Sequence, residues 1–281
     1  MATIYISPSG NDTTGNGTEG NPYQTIAKFL AVSSPSDTCR MAAGTYTWVA
    51  NQDVSNRTFV GESALTTILD AANGYVFWKA QGTVNISNVT FYRNNANASS
   101  SYGNINCRGV FVPISGAAVT WNFSTCIFST FVVTQSYNYL GGIFSAASIL
   151  SGGYGTDYAN STFTLVGCLF KELSAVGTGY NRVIFSANCV VTNCTFYFTE
   201  ISIPLGGINE KTATITNCIF NNVGTSFAFG SANLSYSCVN GISSPPAGTG
   251  NIISDPLLID PTNGNFRLRP TSPCLNAGIA V

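Results

Sequence analysis

Histidine is absent from this chain of 281 residues, and only 8% of the residues carry charge, against about a quarter in an ordinary soluble domain. The first absence removes the commonest general base and zinc ligand. With 11 basic and 12 acidic residues and a net charge of -1, nothing draws the chain to nucleic acid or to an anionic membrane. No stretch approaches the roughly 18 uninterrupted apolar residues of a membrane-spanning helix. Nine cysteines are present but no Cys-x-x-Cys, so a thiolate metal site has no support. The opening Met1-Ala2-Thr3-Ile4-Tyr5-Ile6-Ser7-Pro8 lacks the basic start, apolar run and cleavage site of a secretory signal. That opening points either to a trimmed signal or to a protein that is not exported by that route.

Apolar residues make up 44% of the chain, which together with low charge excludes disorder and allows a large core. The polar remainder is mainly Ser, Thr, Asn and Gly, residues of turns and strands rather than helices. One phrase recurs: Val191-Thr192-Asn193-Cys194-Thr195-Phe196 returns as Ile215-Thr216-Asn217-Cys218-Ile219-Phe220, 24 residues later. Looser copies run Ile86–Phe91, Phe123–Phe128 and Leu165–Phe170, and a degraded one runs Leu234–Val239. From Phe91 the phenylalanine returns at 128, 170, 196 and 220. A period in the twenties with one strand-rich phrase per repeat is a solenoid signature. The Thr, Val, Asn and Gly content excludes helical repeats, and the Leu/Asn pattern of leucine-rich repeats is missing. A parallel β-helix remains.

In such a stack like sits on like at about 4.8 Å. The pattern predicts a structural ladder of Cys126, Cys168, Cys194 and Cys218, read as buried small thiols, beside a ladder of Phe91, Phe128, Phe170, Phe196 and Phe220. Asn88, Asn193 and Asn217 fall at a turn, where amides can stack. The two wide gaps are read as insertions at 92–118 and 129–162, though each leaves room for an extra coil whose phrase has decayed. Ile26, Phe29 and Leu30 share one face of a short helix, suited to covering the open end of a sheet stack. The expected organisation is one structural domain: a strand, loop and capping helix over 1–35, a β-helix over 36–243, and a proline-rich closing segment over 244–281.

The ends carry a resemblance. Tyr5-Ile6-Ser7-Pro8-Ser9-Gly10-Asn11-Asp12 with Asn21-Pro22-Tyr23-Gln24-Thr25-Ile26 resembles the start of right-handed parallel β-helix proteins of the pectate-lyase-like superfamily. The tail, Asp255-Pro256-Leu257-Leu258 through Asn265-Phe266-Arg267-Leu268 to Ser272-Pro273-Cys274-Leu275-Asn276-Ala277-Gly278, is similar to their terminal segment. The resemblance implies an all-β, single-stranded right-handed β-helix. It leaves function open, because this fold hosts lyases, hydrolases, adhesins and phage tail or capsid proteins.

A lyase of this kind needs a base and a means of neutralising a uronate, usually Ca²⁺ on an acidic cluster or an Arg. A hydrolase needs paired carboxylates. Lys28, Lys79, Lys171 and Lys211 lie outside the Lys-Ser-Gly-x-Asn setting of related lyases, and no Asn-Gly-x-Glu calcium motif occurs. Lys171-Glu172, Glu200 and Glu210-Lys211 are out of register and read as solvated turn charges. Asp255 and Asp260 precede prolines and read as turn openers, with Ca²⁺ the alternative. No catalytic, cofactor or metal residue is therefore assigned. Tyr137, Tyr139, Tyr154 and Tyr158 in the second insertion, with Arg93 and Tyr102 in the first, are the candidate glycan or partner contacts. The sequons, such as those at Asn11, Asn97 and Asn193, carry no information in a chain this rich in Asn, Ser and Thr.

The function expected from these residues is a non-enzymatic virion structural protein, a capsid-decoration or tail component that engages carbohydrate or a host surface. Virion proteins that resemble it form trimers, so self-association as a homotrimer and contact with other virion proteins are the expected partnerships. A secreted or cell-surface glycan-binding β-helix is the alternative, and a polysaccharide lyase a more distant one.

Overall fold

The structure, a computed structural model, describes residues 1–74, 76, 78–97, 107–108, 110–114, 117–135, 140–141, 161–177, 181–182, 188–198, 205–206, 212–223, 229 and 232–280. It is a right-handed parallel β-helix. One sheet stacks nine parallel strands in chain order, from Thr3–Ile6 through Thr38–Met41, Thr58–Gly61, Gly82–Ser87, Val119–Ser124, Thr162–Val166, Asn188–Thr192 and Thr212–Thr216 to Asn233–Ser235. A second sheet stacks in the same direction from Gly44–Thr47 to Cys238–Val239. Short strands such as Trp78–Ala80 and Phe111–Pro113 make the third side.

Register shows how the repeat works. Phe128 pairs with Phe91 and with Phe170, Phe170 with Phe196, and Phe196 with Phe220. Both wide gaps are thus single coils with insertions, not coils whose phrase has decayed. Strand alternation turns Phe inward, and the rings stack nearly face to face. Centroids lie 5.2, 4.6, 4.5 and 4.6 Å apart from Phe91 to Phe220, with interplanar angles of 13°, 8°, 7° and 3°. All five are buried.

Cys126, Cys168, Cys194 and Cys218 form a second buried column, all as free thiols. Each points its Sγ at a carbonyl of the preceding coil: Cys126 at Ile86 (3.6 Å), Cys168 at Phe123 (3.7 Å), Cys194 at Leu165 (3.5 Å) and Cys218 at Val191 (3.6 Å). Val89 precedes this column and Ser237 continues it, donating through Oγ to the Ser235 carbonyl at 2.9 Å. Burial pushes the Cys218 thiol well up and the neighbouring Cys189 up to about 12, so these two thiols stay protonated.

The Asn of the phrase has a backbone reason. Asn88, Thr125, Gly167, Asn193, Asn217 and Tyr236 all sit at one turn with φ between 49° and 61°. Gly and Asn enter this left-handed region at least cost. The expected amide stacking at this turn is replaced by other partners. Asn88 Oδ1 accepts from Thr125 Oγ1 (2.6 Å), and Asn217 bonds the tail. Amide-to-amide bonds occur instead at Asn122 to Asn85 (2.9 Å) and Asn240 to Asn221 (2.8 Å).

The first coils are filled by an aromatic block. Trp48 lies 6.0 Å from Trp78 and 5.0 Å from Phe91, and Phe111 lies 4.8 Å from Phe123. Among the described residues, the indole N–H groups of Trp48, Trp78 and Trp121 meet no acceptor. Each such orphan costs about 1–3 kcal/mol, which the packing of the rings offsets.

Helix Ile26–Val32 covers the N-terminal end. Thr25 caps it by accepting from Lys28 N, and Phe29 packs edge-on against Phe59 at 5.4 Å. At the other end Ile252 bridges Cys238, and Leu258–Asp260 pairs antiparallel with Asn265–Leu268. Arg269 donates to the Leu258 and Ile259 carbonyls (3.3 and 3.2 Å).

Candidate functional site

In the strand Thr3–Ile6, Ile6 faces the core and Tyr5 therefore faces out. The register sets Tyr5 beside Arg40, and Arg40 beside Val60. The Gly/Asn-rich loop after Ser7 folds back over this face. It is held by Tyr5 N to Gly17 O (2.9 Å), Tyr23 N to Tyr5 O (3.1 Å) and Ser7 N to Tyr23 O (2.8 Å). A cleft of about 510 Å³ results, with Tyr5, Arg40 and Val60 on its floor, Ser7, Ser9, Glu19 and Pro22 on one wall and Glu62 on the other. Its volume falls in the range of small-molecule sites. Glu62 is positioned by its Oε2 accepting from Ala43 N at 3.0 Å.

Beyond the cleft the same face of the sheet continues without charge. Its outward positions read Thr83, Asn85, Ser87 in one coil, Thr120, Asn122, Ser124 in the next, then Thr162, Thr164, Val166. Later coils add Thr192, Thr214, Thr216, Asn233 and Ser235. Arg40 is the one charged residue in the nine strands of this sheet. The result is an uncharged surface of hydroxyls and amides, interrupted by the exposed Val166 and Val190, running along the stack axis away from the cleft.

Most other described charges have structural partners. Asp12 accepts from Gln24 N, Thr25 N and Thr25 Oγ1 at 2.7, 3.1 and 2.6 Å. These bonds overcome the opposing effect of burial and hold its carboxyl below the usual range. Asp37 accepts from Ala2 N (2.6 Å) and Ser34 N (2.9 Å), and these bonds lower it as well. Glu172 accepts from Ser129 Oγ (3.0 Å) and Thr130 Oγ1 (2.6 Å) and pairs with Lys171 at 3.3 Å. Asp255 Oδ1 accepts from Leu257 N (2.8 Å), and Asp260 accepts from Thr262 and Asn263, the turn role expected of both. Among the described residues no group of three or more His, Cys, Asp or Glu side chains gathers as a metal site.

Of the candidate contacts, Tyr102, Tyr137, Tyr139, Tyr154 and Tyr158 lie outside the described residues. Arg93 is described. Asp70 binds its guanidinium through both Nε and Nη2, and it stacks over the Tyr92 ring at 5.1 Å. Its backbone is left-handed in a second turn column, with Thr130 and Glu172 in the following coils. Sequence reasoning missed Tyr5, Arg40 and Glu62. The signal for Tyr5 was there: with Ile4 and Ile6 inward, the intervening aromatic has to face out.

The profile of a family described as a protein of unknown function (DUF1565) matches residues 8–55, a span that supplies Ser9, Glu19, Pro22 and Arg40 to the cleft. No curated protein matches. Among solved structures, the pectate lyase Pel9A overlaps at 11% identity and TM-score 0.40, covering 100% of this chain and 92% of its own. The pectin methylesterase PemA from Erwinia chrysanthemi overlaps at 9% identity and TM-score 0.39, covering 95% and 98%. A rhamnogalacturonan lyase overlaps at 13% identity and TM-score 0.34, covering 86% and 69%. Likenesses this loose carry no argument about what the chain does.

Proposed function

We propose that the protein is a non-enzymatic structural β-helix of a virion, a capsid-decoration or tail component, that holds an extended carbohydrate chain. The cleft floored by Tyr5 and Arg40, opening onto the uncharged surface, carries the reading. A tyrosine face offers a stacking platform for a sugar ring, while Arg40, Glu19 and Glu62 supply charge-assisted hydrogen bonds to hydroxyl pairs. The Thr, Asn and Ser rows repeat donors and acceptors along the stack, which suits a polymer better than a single small molecule. A structural role is supported by the acids at 12, 37, 172, 255 and 260, all engaged by backbone or neighbouring side chains. Exposed apolar side chains at the C-terminal end, Ile253, Ile259, Leu275 and Ile279, favour contact with further copies, as a homotrimer, or with other particle proteins.

Glycan-array screening followed by titration calorimetry tests the reading. Tyr5→Ala and Arg40→Ala each weaken the selected glycan about tenfold, the worth of roughly 1.4 kcal/mol. Unchanged affinity in both variants overturns the cleft as the site. Release of unsaturated uronate from a polysaccharide panel, read by absorbance, overturns the non-enzymatic assignment. Mass spectrometry of purified particles and of cell envelopes decides between the virion and a secreted surface protein.

A further inference from the structure

Cys238 does not belong to the cysteine column. Ser237 holds that register, and Cys238 pairs with Ile219, an outward position of the second sheet. It is nevertheless 3% exposed, because the C-terminal segment folds over it. Its Sγ reaches the Ser254 carbonyl at 3.3 Å. From there the chain doubles back through two contacts, Arg269 N to Leu257 O at 2.9 Å and Ser272 Oγ to Pro256 O at 2.6 Å. Ser272 Oγ accepts from Cys274 N at 3.1 Å, fixing the half-buried Cys274 beside Cys238. The two thiols meet side chain to side chain. That contact pushes the Cys238 thiol up and the Cys274 thiol down.

We propose that Cys238 and Cys274 are a disulfide-forming pair that staples the closing segment to the last coil when the protein meets an oxidising environment. The oxidant is a low-molecular-weight disulfide such as oxidised glutathione. The half-exposed Cys274 loses its proton and attacks one glutathione sulfur, and the first glutathione leaves as a thiolate and takes up that proton. Cys238 then loses its proton and attacks the Cys274 sulfur of the mixed disulfide, and the second glutathione leaves and is protonated. Two protein thiols are oxidised and one external disulfide is reduced to two thiols. The thiols of the buried column have no such approach. The staple closes the loop between 238 and 274 and acts on the one stack end that has no helix over it. The inference stands independently of the carbohydrate reading.

The test uses the full chain, purified under reductant and then incubated with oxidised glutathione. Free thiols are blocked and the protein is digested without reduction for mass spectrometry. The expected result is a peptide pair linked through Cys238 and Cys274, with Cys126, Cys168, Cys194 and Cys218 alkylated only after unfolding. The oxidised form melts about 5–10 °C above the reduced form. Cys274→Ser, at a half-buried position that leaves the core untouched, removes both the linked peptide and the difference in melting; Cys238→Ala does the same. A persistent glutathione adduct at Cys274, two alkylated thiols in the folded protein, or a linked peptide with no change in melting overturns the proposal.

Discussion

The body of the stack and its two ends are held by different means. Between Ile86 and Val239 each coil repeats the one before it, and stability resides in columns: Phe on Phe, thiol over carbonyl, a left-handed residue over a left-handed residue. At the ends nothing repeats. The first coil is secured by Asp12, Asp37 and the cap at Thr25, each making bonds that no other coil makes. The last is secured by Asn217, Ser272 and the Cys238–Cys274 contact. A substitution in the body therefore strikes packing, which is non-local and large. A substitution at an end strikes a few hydrogen bonds and loosens one segment.

The largest effect is expected at the centre of the body. Phe170 is buried and stacked on both sides, 4.6 Å from Phe128 and 4.5 Å from Phe196. Phe170→Ala leaves a ring-sized void between two rigid coils and costs about 3–5 kcal/mol, read as a shift in the urea midpoint. A loss below about 1 kcal/mol would mean the column is not what holds the coils. The cysteine column should behave more mildly. Ser237 already occupies that register and donates to a carbonyl, so Cys218→Ser keeps a donor in place and costs about 1 kcal/mol. Cys218→Ala, which leaves the Val191 and Thr216 carbonyls without their thiol, costs more than the serine.

These contrasts also show what was readable in the chain. Phe and Cys at fixed offsets gave the ladder by number because a parallel stack maps period directly onto contact. The left-handed turn at Asn88, Asn193 and Asn217 was legible as a turn. Its amide partners were not, because whether an Asn meets an Asn depends on what the neighbouring coil places there: Thr125 above Asn88, the tail beside Asn217. The cleft was least legible. Tyr5, Arg40 and Glu62 are distant in sequence and meet only through the register of three strands and the fold-back of the loop after Ser7. The tyrosines singled out by composition belong to the insertions, where no period constrains position.

Asn193 and Asn217 sharpen the contrast between body and end at a single register. Both have positive φ, 54° and 56°, and Gly167 fills the same position one coil before Asn193. Asn193→Gly should therefore change stability by only a few tenths of a kcal/mol. Asn217 in addition clasps the tail, with Nδ2 donating to Ile279 O at 2.7 Å and Oδ1 accepting from Ile279 N at 3.0 Å. Asn217→Gly keeps the turn but loses both bonds, about 1–2 kcal/mol. Hydrogen exchange should show faster opening of the last residues with the body unchanged. Equal behaviour of the two variants would dissolve the distinction.

Acid should loosen the N-terminal end before the body. Asp37 is held below the ordinary carboxylate range by Ala2 N and then Ser34 N, and Asp12 by the Thr25 hydroxyl and the Gln24 and Thr25 amides against the opposing effect of burial. A carboxylate whose folded pKa is depressed contributes stability above its unfolded pKa, about 3.9 for Asp, and loses that contribution as pH falls through the lower folded value. Among the described residues of the body one carboxylate titrates, Glu172, held low against the effect of burial by the Thr130 hydroxyl and Lys171; the phenylalanine column carries no titrating group. Between about pH 4 and 2, limited proteolysis by an acid-active protease should release the segment before Thr38 while the repeat from Ile86 to Val239 stays intact. Asp37→Asn and Asp12→Asn should bring that sensitivity up to neutral pH, each by a small change, because the surviving amide oxygen still accepts from one N–H.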